Sequence, residues 1–156
     1  MRRSKLPKLS NGLSHKVRKR FGQNFLHDEG VITKILDTIS PRKEDHILEI
    51  GPGLGALTKG LARSGAKLHC VELDKDLAKS LKTEYGKYDK VKITQADALE
   101  FNINSIATER EPLRVVGDLP YNISTPLIFH LLKKSSLIKD MTFMLQLEVI
   151  QRMVSK

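Results

Sequence analysis

A short strand candidate, His46-Ile47-Leu48-Glu49-Ile50, runs without a break into Gly51-Pro52-Gly53-Leu54-Gly55. Glycines at this spacing allow a tight turn and let a ligand approach the backbone without meeting a Cβ. A helix carrying Leu57, Leu61 and Ala62 follows, with Gly65 placed to cap its end. A strand, a glycine loop and a helix in that order form the opening unit of a parallel α/β sheet.

The rest of the chain repeats the alternation. Val31, Ile32, Ile35, Leu36 and Ile39 recur at helical spacing after a cap at Asp28, and Ser40-Pro41 ends them. Lys67 to Leu73 is a second strand. Asp74 caps a helix with apolar Leu77, Ala78, Leu81 and Tyr85, closed by Gly86. Val91 to Ala96 is a third strand, and Leu113 to Gly117 a fourth. Thr125-Pro126 marks a helix start, with Leu127, Ile128, Leu131 and Leu132 as its buried face. Met141 to Gln146 is a fifth strand, and a helix begins near Glu148. The expected fold is a Rossmann-like, doubly wound parallel sheet, in which ligands bind outside the carboxyl ends of the strands. Gly51, Glu72, Asp97 and Asp118 all close strands there.

Charge divides the 156 residues in two. Residues 1–27 carry eight Lys or Arg and no Asp or Glu, whereas the remaining 129 hold 19 basic and 18 acidic side chains. The arm suits a polyphosphate partner. A solvated tail or a transit peptide is the competing account, the latter weakened by a sparse, proline-interrupted apolar pattern. The single cysteine, Cys70, excludes a disulfide framework and a thiolate zinc site. No apolar run reaches the roughly 18 residues of a membrane span. A cytoplasmic setting is expected, with neither metal nor membrane partner and a monomer favoured.

Three acids give the glycine loop a chemistry. Glu72 follows Gly55 by 17 residues, where a carboxylate can accept hydrogen bonds from both ribose hydroxyls. That serves a nicotinamide cofactor and S-adenosylmethionine equally well. Asp97, before Ala98, can accept from an adenine amino group or simply cap a turn. Asp118-Leu119-Pro120-Tyr121 tells the two cofactors apart. The exocyclic nitrogen of adenine is a poor nucleophile, so a site must align its lone pair with the donor methyl. The Asp118 side chain and Leu119 carbonyl can each accept one N–H, Pro120 stiffens the turn, and Tyr121 can stack on an extruded base. A plain proline turn with a packed tyrosine is the alternative.

With these residues placed, Arg18-Lys19-Arg20-Phe21-Gly22-Gln23-Asn24-Phe25-Leu26, the Glu49–Gly55 loop, Gly117 to Pro126 (GDLPYNISTP) and Phe143-Met144-Leu145-Gln146 resemble the small-subunit ribosomal RNA adenine N6,N6-dimethyltransferase family (KsgA type). The resemblance implies dimethylation of two adjacent adenosines in a hairpin near the RNA 3′ end, with S-adenosylmethionine as donor. The partner would be small-subunit ribosomal RNA or its precursor particle. It places Gln23, Asn24, Leu26, Gly51, Gly53, Gly55, Glu72, Leu73, Asp97, Ala98 and Asp118 at the cofactor, and Asp118, Leu119, Pro120 and Tyr121 at the reacting base.

The chain departs from the family pattern at Asp118, where Asn is usual, and at Leu147, where Lys is common. Family members also continue through two more strands and a small helical domain. Residues 28–156 are therefore expected to be a C-terminally truncated catalytic domain, with the cofactor pocket present and RNA methylation impaired. Three other readings stay open: the large-subunit methyltransferase that confers macrolide resistance, a nicotinamide-dependent dehydrogenase, and a non-catalytic RNA-binding or assembly factor.

Overall fold

The computed structural model describes residues 26–155. Five strands form one sheet in the order β3-β2-β1-β4-β5, every neighbouring pair parallel. In chain order the elements are α1 (Glu29–Ile39), β1 (His46–Ile50), α2 (Thr58–Arg63), β2 (Lys67–Glu72), α3 (Lys75–Tyr85), β3 (Val91–Gln95), β4 (Leu113–Asp118), α4 (Ser124–Leu132), β5 (Ile138–Met144) and α5 (Leu147–Val154). Strand order reverses between β1 and β4, which makes their carboxyl ends the switch point where such sheets bind ligands.

Local chemistry sets the helix starts. Asp28 Oδ1 accepts from the Val31 N–H at 3.0 Å, and Asp74 Oδ1 from Asp76 and Leu77 at 2.8 and 2.9 Å. Each carboxylate satisfies N–H groups that the first turn leaves open. α4 starts one residue before the expected Thr125 and has no side-chain cap. Ser124 is buried, and its hydroxyl donates to the Tyr121 carbonyl at 3.1 Å. Leu127 and Leu131 face the core, whereas Leu132 is exposed.

Two apolar layers sandwich the sheet. Ile47, Leu68, Cys70, Ile93 and Val116 pack under α1, α2 and α3 with Ile39, Leu61, Leu81 and Tyr85. Leu48, Ile50, Val71, Leu113 and Val115 form the other layer with Ile103, Leu127 and Leu131. β5 begins at Ile138, three residues before the expected Met141. Its Asp140 reads as loop, yet it lies beside Arg114 of β4. Arg114 Nε donates to both Asp140 oxygens at 3.0–3.1 Å and Nη1 meets Asp45 Oδ2 at 2.8 Å. Nη2 donates to the Ile39 carbonyl at the end of α1. One guanidinium thus ties α1, β4 and β5 at the amino end of the sheet.

Candidate cofactor and base site

β1 and β4 run side by side to their carboxyl ends, where Ile50 pairs with Gly117. A Cβ on Gly117 would lie 2.5 Å from the Ile50 carbonyl oxygen, so only glycine lets the strands meet there. Gly51 follows with φ +64°, and its N–H continues the ladder to the Val71 carbonyl at 2.9 Å. A Cβ on Gly51 would sit 3.7 Å from the Asp118 carbonyl. The glycine loop and the loop after β4 are therefore adjacent walls of one cavity of about 200 Å³. Leu26, Glu49, Gly51, Gly53, Asp118, Leu119 and Pro120 line it, and the end of β5 closes it with Met144, Leu145 and Gln146.

Asp118 is half-buried, and among the described residues its carboxyl has no hydrogen-bond partner. Burial pushes its pKa up to about 6. The Leu119 N–H extends the β4–β5 ladder to Met144 at 3.1 Å. Both following turn N–H groups, of Ile123 and Ser124, donate to Pro120 at 3.2 Å, which leaves the Leu119 carbonyl outside the turn's hydrogen bonding. Tyr121 follows with 57% of its surface exposed. The turn thus offers two oxygen acceptors and a free aromatic face.

Glu72 is placed differently from the other acids. It is fully buried: Oε2 accepts from the Gly53 N–H and Oε1 from the Asp74 N–H, both at 3.0 Å. The glycine loop lies over it, and it does not line the cavity. Burial, partly offset by these two N–H bonds, raises its pKa. Asp97 Oδ1 accepts from the Leu99 N–H at 2.9 Å and so caps its own turn. Leu73 is exposed, and Ala98 packs against the second core layer. Gly55, at φ +86°, faces α3, where a Cβ would meet Leu81 at 3.3 Å and the Tyr85 hydroxyl at 3.4 Å. Gln23 and Asn24 lie outside the described residues.

One cavity residue was given no role from sequence. Glu49, the next-to-last residue of β1, is buried, and its Oε2 accepts from the Thr58 hydroxyl at 2.7 Å and the Cys70 thiol at 3.4 Å. Burial drives its pKa to about 7, against the pull of Thr58 and Cys70. A charged residue in a strand buried on both faces was the available signal. Its carboxylate and that of Asp118 give the cavity an acidic lining suited to a cation.

This fold and cavity define a methyltransferase-type doubly wound α/β protein. The model of the ribosomal RNA adenine dimethylase family matches residues 14–156, and the chain belongs to that family. It is 61% identical over 141 residues to the ribosomal RNA small subunit methyltransferase A of Pseudomonas savastanoi pv. phaseolicola, covering 90% of this chain and 53% of that protein. The protein of the same name from Hahella chejuensis is 51% identical over 147 residues, covering 94% and 54%. Among solved structures, the 23S rRNA methyltransferase ErmE matches with a TM-score of 0.68 and 32% identity, over 82% of this chain and 50% of that one. A dimethyladenosine transferase from Plasmodium falciparum matches with a TM-score of 0.69 and 27% identity, over 85% and 47%. The chain spans about half the length of the curated relatives it matches. Among the described residues no helix is long and apolar enough to cross a membrane.

Proposed function

We propose that this chain is the catalytic half of an S-adenosylmethionine-dependent methyltransferase that dimethylates N6 of two adjacent adenosines in small-subunit ribosomal RNA. The observation that carries the reading is that the glycine loop, with Gly51 and Gly53, and the unpartnered Asp118 line one cavity. Acidic Glu49 and Asp118 fit a donor bearing a sulfonium and an ammonium. When bound, that donor supplies an electrophilic methyl group, so the protein contributes alignment, worth several kcal/mol.

Each residue then has a task. Asp118 and the Leu119 carbonyl hold the two N–H bonds of the amine, and Tyr121 covers the base. Gly51 and Gly53 admit the donor, with Leu26 and Glu49 lining the same cavity. Glu72, with Leu73 beside it, serves the ribose once the loop releases the Gly53 N–H. Asp97 and Ala98 serve the donor's adenine, and Gln23 and Asn24 complete the site from the basic arm. Residues 1–27 form that arm and 28–156 the doubly wound domain, acting in the cytoplasm.

Asp118→Ala removes an acceptor without touching the basic arm. It is expected to abolish methyl transfer to ribosomal RNA while leaving RNA affinity unchanged. Unchanged methylation defeats the reading. The similarity to ErmE keeps large-subunit RNA as a second substrate reading, and mapping dimethyladenosine on both RNAs separates the two. Binding of NAD in place of S-adenosylmethionine, measured by calorimetry, would return the site to the dehydrogenase class.

A further inference from the structure

The other end of the sheet carries a second polar hollow that the site above does not use. It measures about 570 Å³ and is lined chiefly by His46, Lys67, His69, Lys90, Lys92 and Asp89. Sheet register explains the cluster. His46 is paired with Lys67, Leu48 with His69, and His69 with Lys92, so all four basic residues project from one face at neighbouring positions. Farther along the strands the same face is covered by the second apolar layer, with Leu48 and Val71 under Ile103. At the amino end it is lined by basic groups instead.

A second observation is independent of the lysines. His46 is nine-tenths buried at the edge of this hollow, and its Nδ1 is the buried side-chain nitrogen or oxygen that lacks a hydrogen-bond partner among the described residues. His69 is held in place, Nε2 against the Thr94 hydroxyl at 2.7 Å and its ring edge against Phe101 at 5.3 Å. Burial first, and then the neighbouring lysines, keep both histidines below their ordinary pKa, His69 at about 4. Lys67 adds to that depression at both rings and Lys92 at His69, while Glu111 opposes it at His46.

We propose that this hollow binds a backbone phosphate of the RNA substrate, with Lys67 and Lys92 as its cations beside the His46 and His69 rings. The inference rests on the RNA methyltransferase reading. The hollow lies one strand length, about 16 Å, from the cofactor cavity. A phosphate here therefore belongs to a part of the RNA away from the target adenosine, and the contact acts as a tether that fixes how the RNA lies across the domain.

The test compares two charge-matched variants of the full chain, Lys67→Glu/Lys92→Glu and Lys79→Glu/Lys82→Glu, the latter on the exposed face of α3. Affinity for small-subunit RNA is read by fluorescence anisotropy across a salt series, and S-adenosylmethionine affinity by calorimetry confirms the fold. The first variant is expected to lose about tenfold more RNA affinity than the second, with its salt slope reduced by roughly 1–2. Equal losses in the two overturn this site and leave the enzyme reading standing. If the unaltered chain binds no RNA, the RNA reading falls as a whole. Nitrogen-15 signals of His46 and His69 give the remaining arm. Shifts on adding RNA support the proposal, and shifts with inorganic phosphate but not with RNA assign the hollow to a free anion and overturn it.

Discussion

Glu72 Oε2 and the Gly53 N–H are joined by a 3.0 Å hydrogen bond across 19 residues of sequence. The bond fastens the glycine loop to the end of β2, so the carboxylate proposed for the ribose also anchors the loop. Glu72→Gln keeps one acceptor oxygen but turns the other into a donor facing a backbone N–H. It is expected to destabilise the fold by about 1–3 kcal/mol and to weaken S-adenosylmethionine binding at least tenfold. Denaturant unfolding and calorimetry read the two effects separately.

Glu49 links pH to stability. Its pKa is raised in the fold to about 7, so between the ordinary value of 4.5 and 7 the unfolded chain binds fewer protons than the native one. Its contribution is full below about pH 4.5 and is lost as pH rises through 7, on the order of 3 kcal/mol. Glu49→Gln is expected to remove that decline when unfolding is followed from pH 5 to 8. A cationic donor favours the carboxylate, so native donor affinity should rise over the same interval, and rise less in the variant, where of the two acids lining the cavity only Asp118 still titrates.

Asp118 stands where the resembling family has Asn. With its pKa at about 6, it is a carboxylate above that pH and an acid below it. A carboxylate accepts through both oxygens and stabilises the charge that builds on the adenine nitrogen. Methyl transfer is expected to fall about tenfold below pH 6 in the native chain. Asp118→Asn should retain activity and lose this acid limb in a single-turnover pH profile.

Arg114 is a fork that lysine cannot copy. Its side chain is 13% exposed and that of Asp45 10%, so the pair lies largely out of water. Arg114→Lys strands the Ile39 carbonyl and one of the two carboxylates. A stability loss of about 2–4 kcal/mol is expected by chemical unfolding, with S-adenosylmethionine affinity reduced less than by Glu72→Gln.

Features that depend on neighbours in sequence were legible from it. The Asp28 and Asp74 caps and the glycine loop follow from local chemistry, and the structure reproduces them, whereas β3 ends at Gln95, two residues before Asp97, and β5 at Met144 rather than Gln146. Asp140 hid the start of β5 because its partner Arg114 lies 26 residues away. The His46–Lys67 and His69–Lys92 pairs were invisible for the same reason, since they exist only once the strands are in register. Glu49 looked like the first letter of a motif, and its burial is imposed by layers that form on both faces of β1. Glu72 was read correctly as closing β2, but its hold on Gly53 depends on how the loop folds back.

For Asp118 and Leu119 to align an adenine with it, the donor methyl must lie against the loop that follows β4. Nuclear Overhauser contacts from carbon-13-methyl-labelled S-adenosylmethionine, bound to the chain without RNA, test this directly. The account predicts contacts from the methyl protons to Leu119, Pro120 or Tyr121. A bound donor whose methyl contacts none of the three would contradict it.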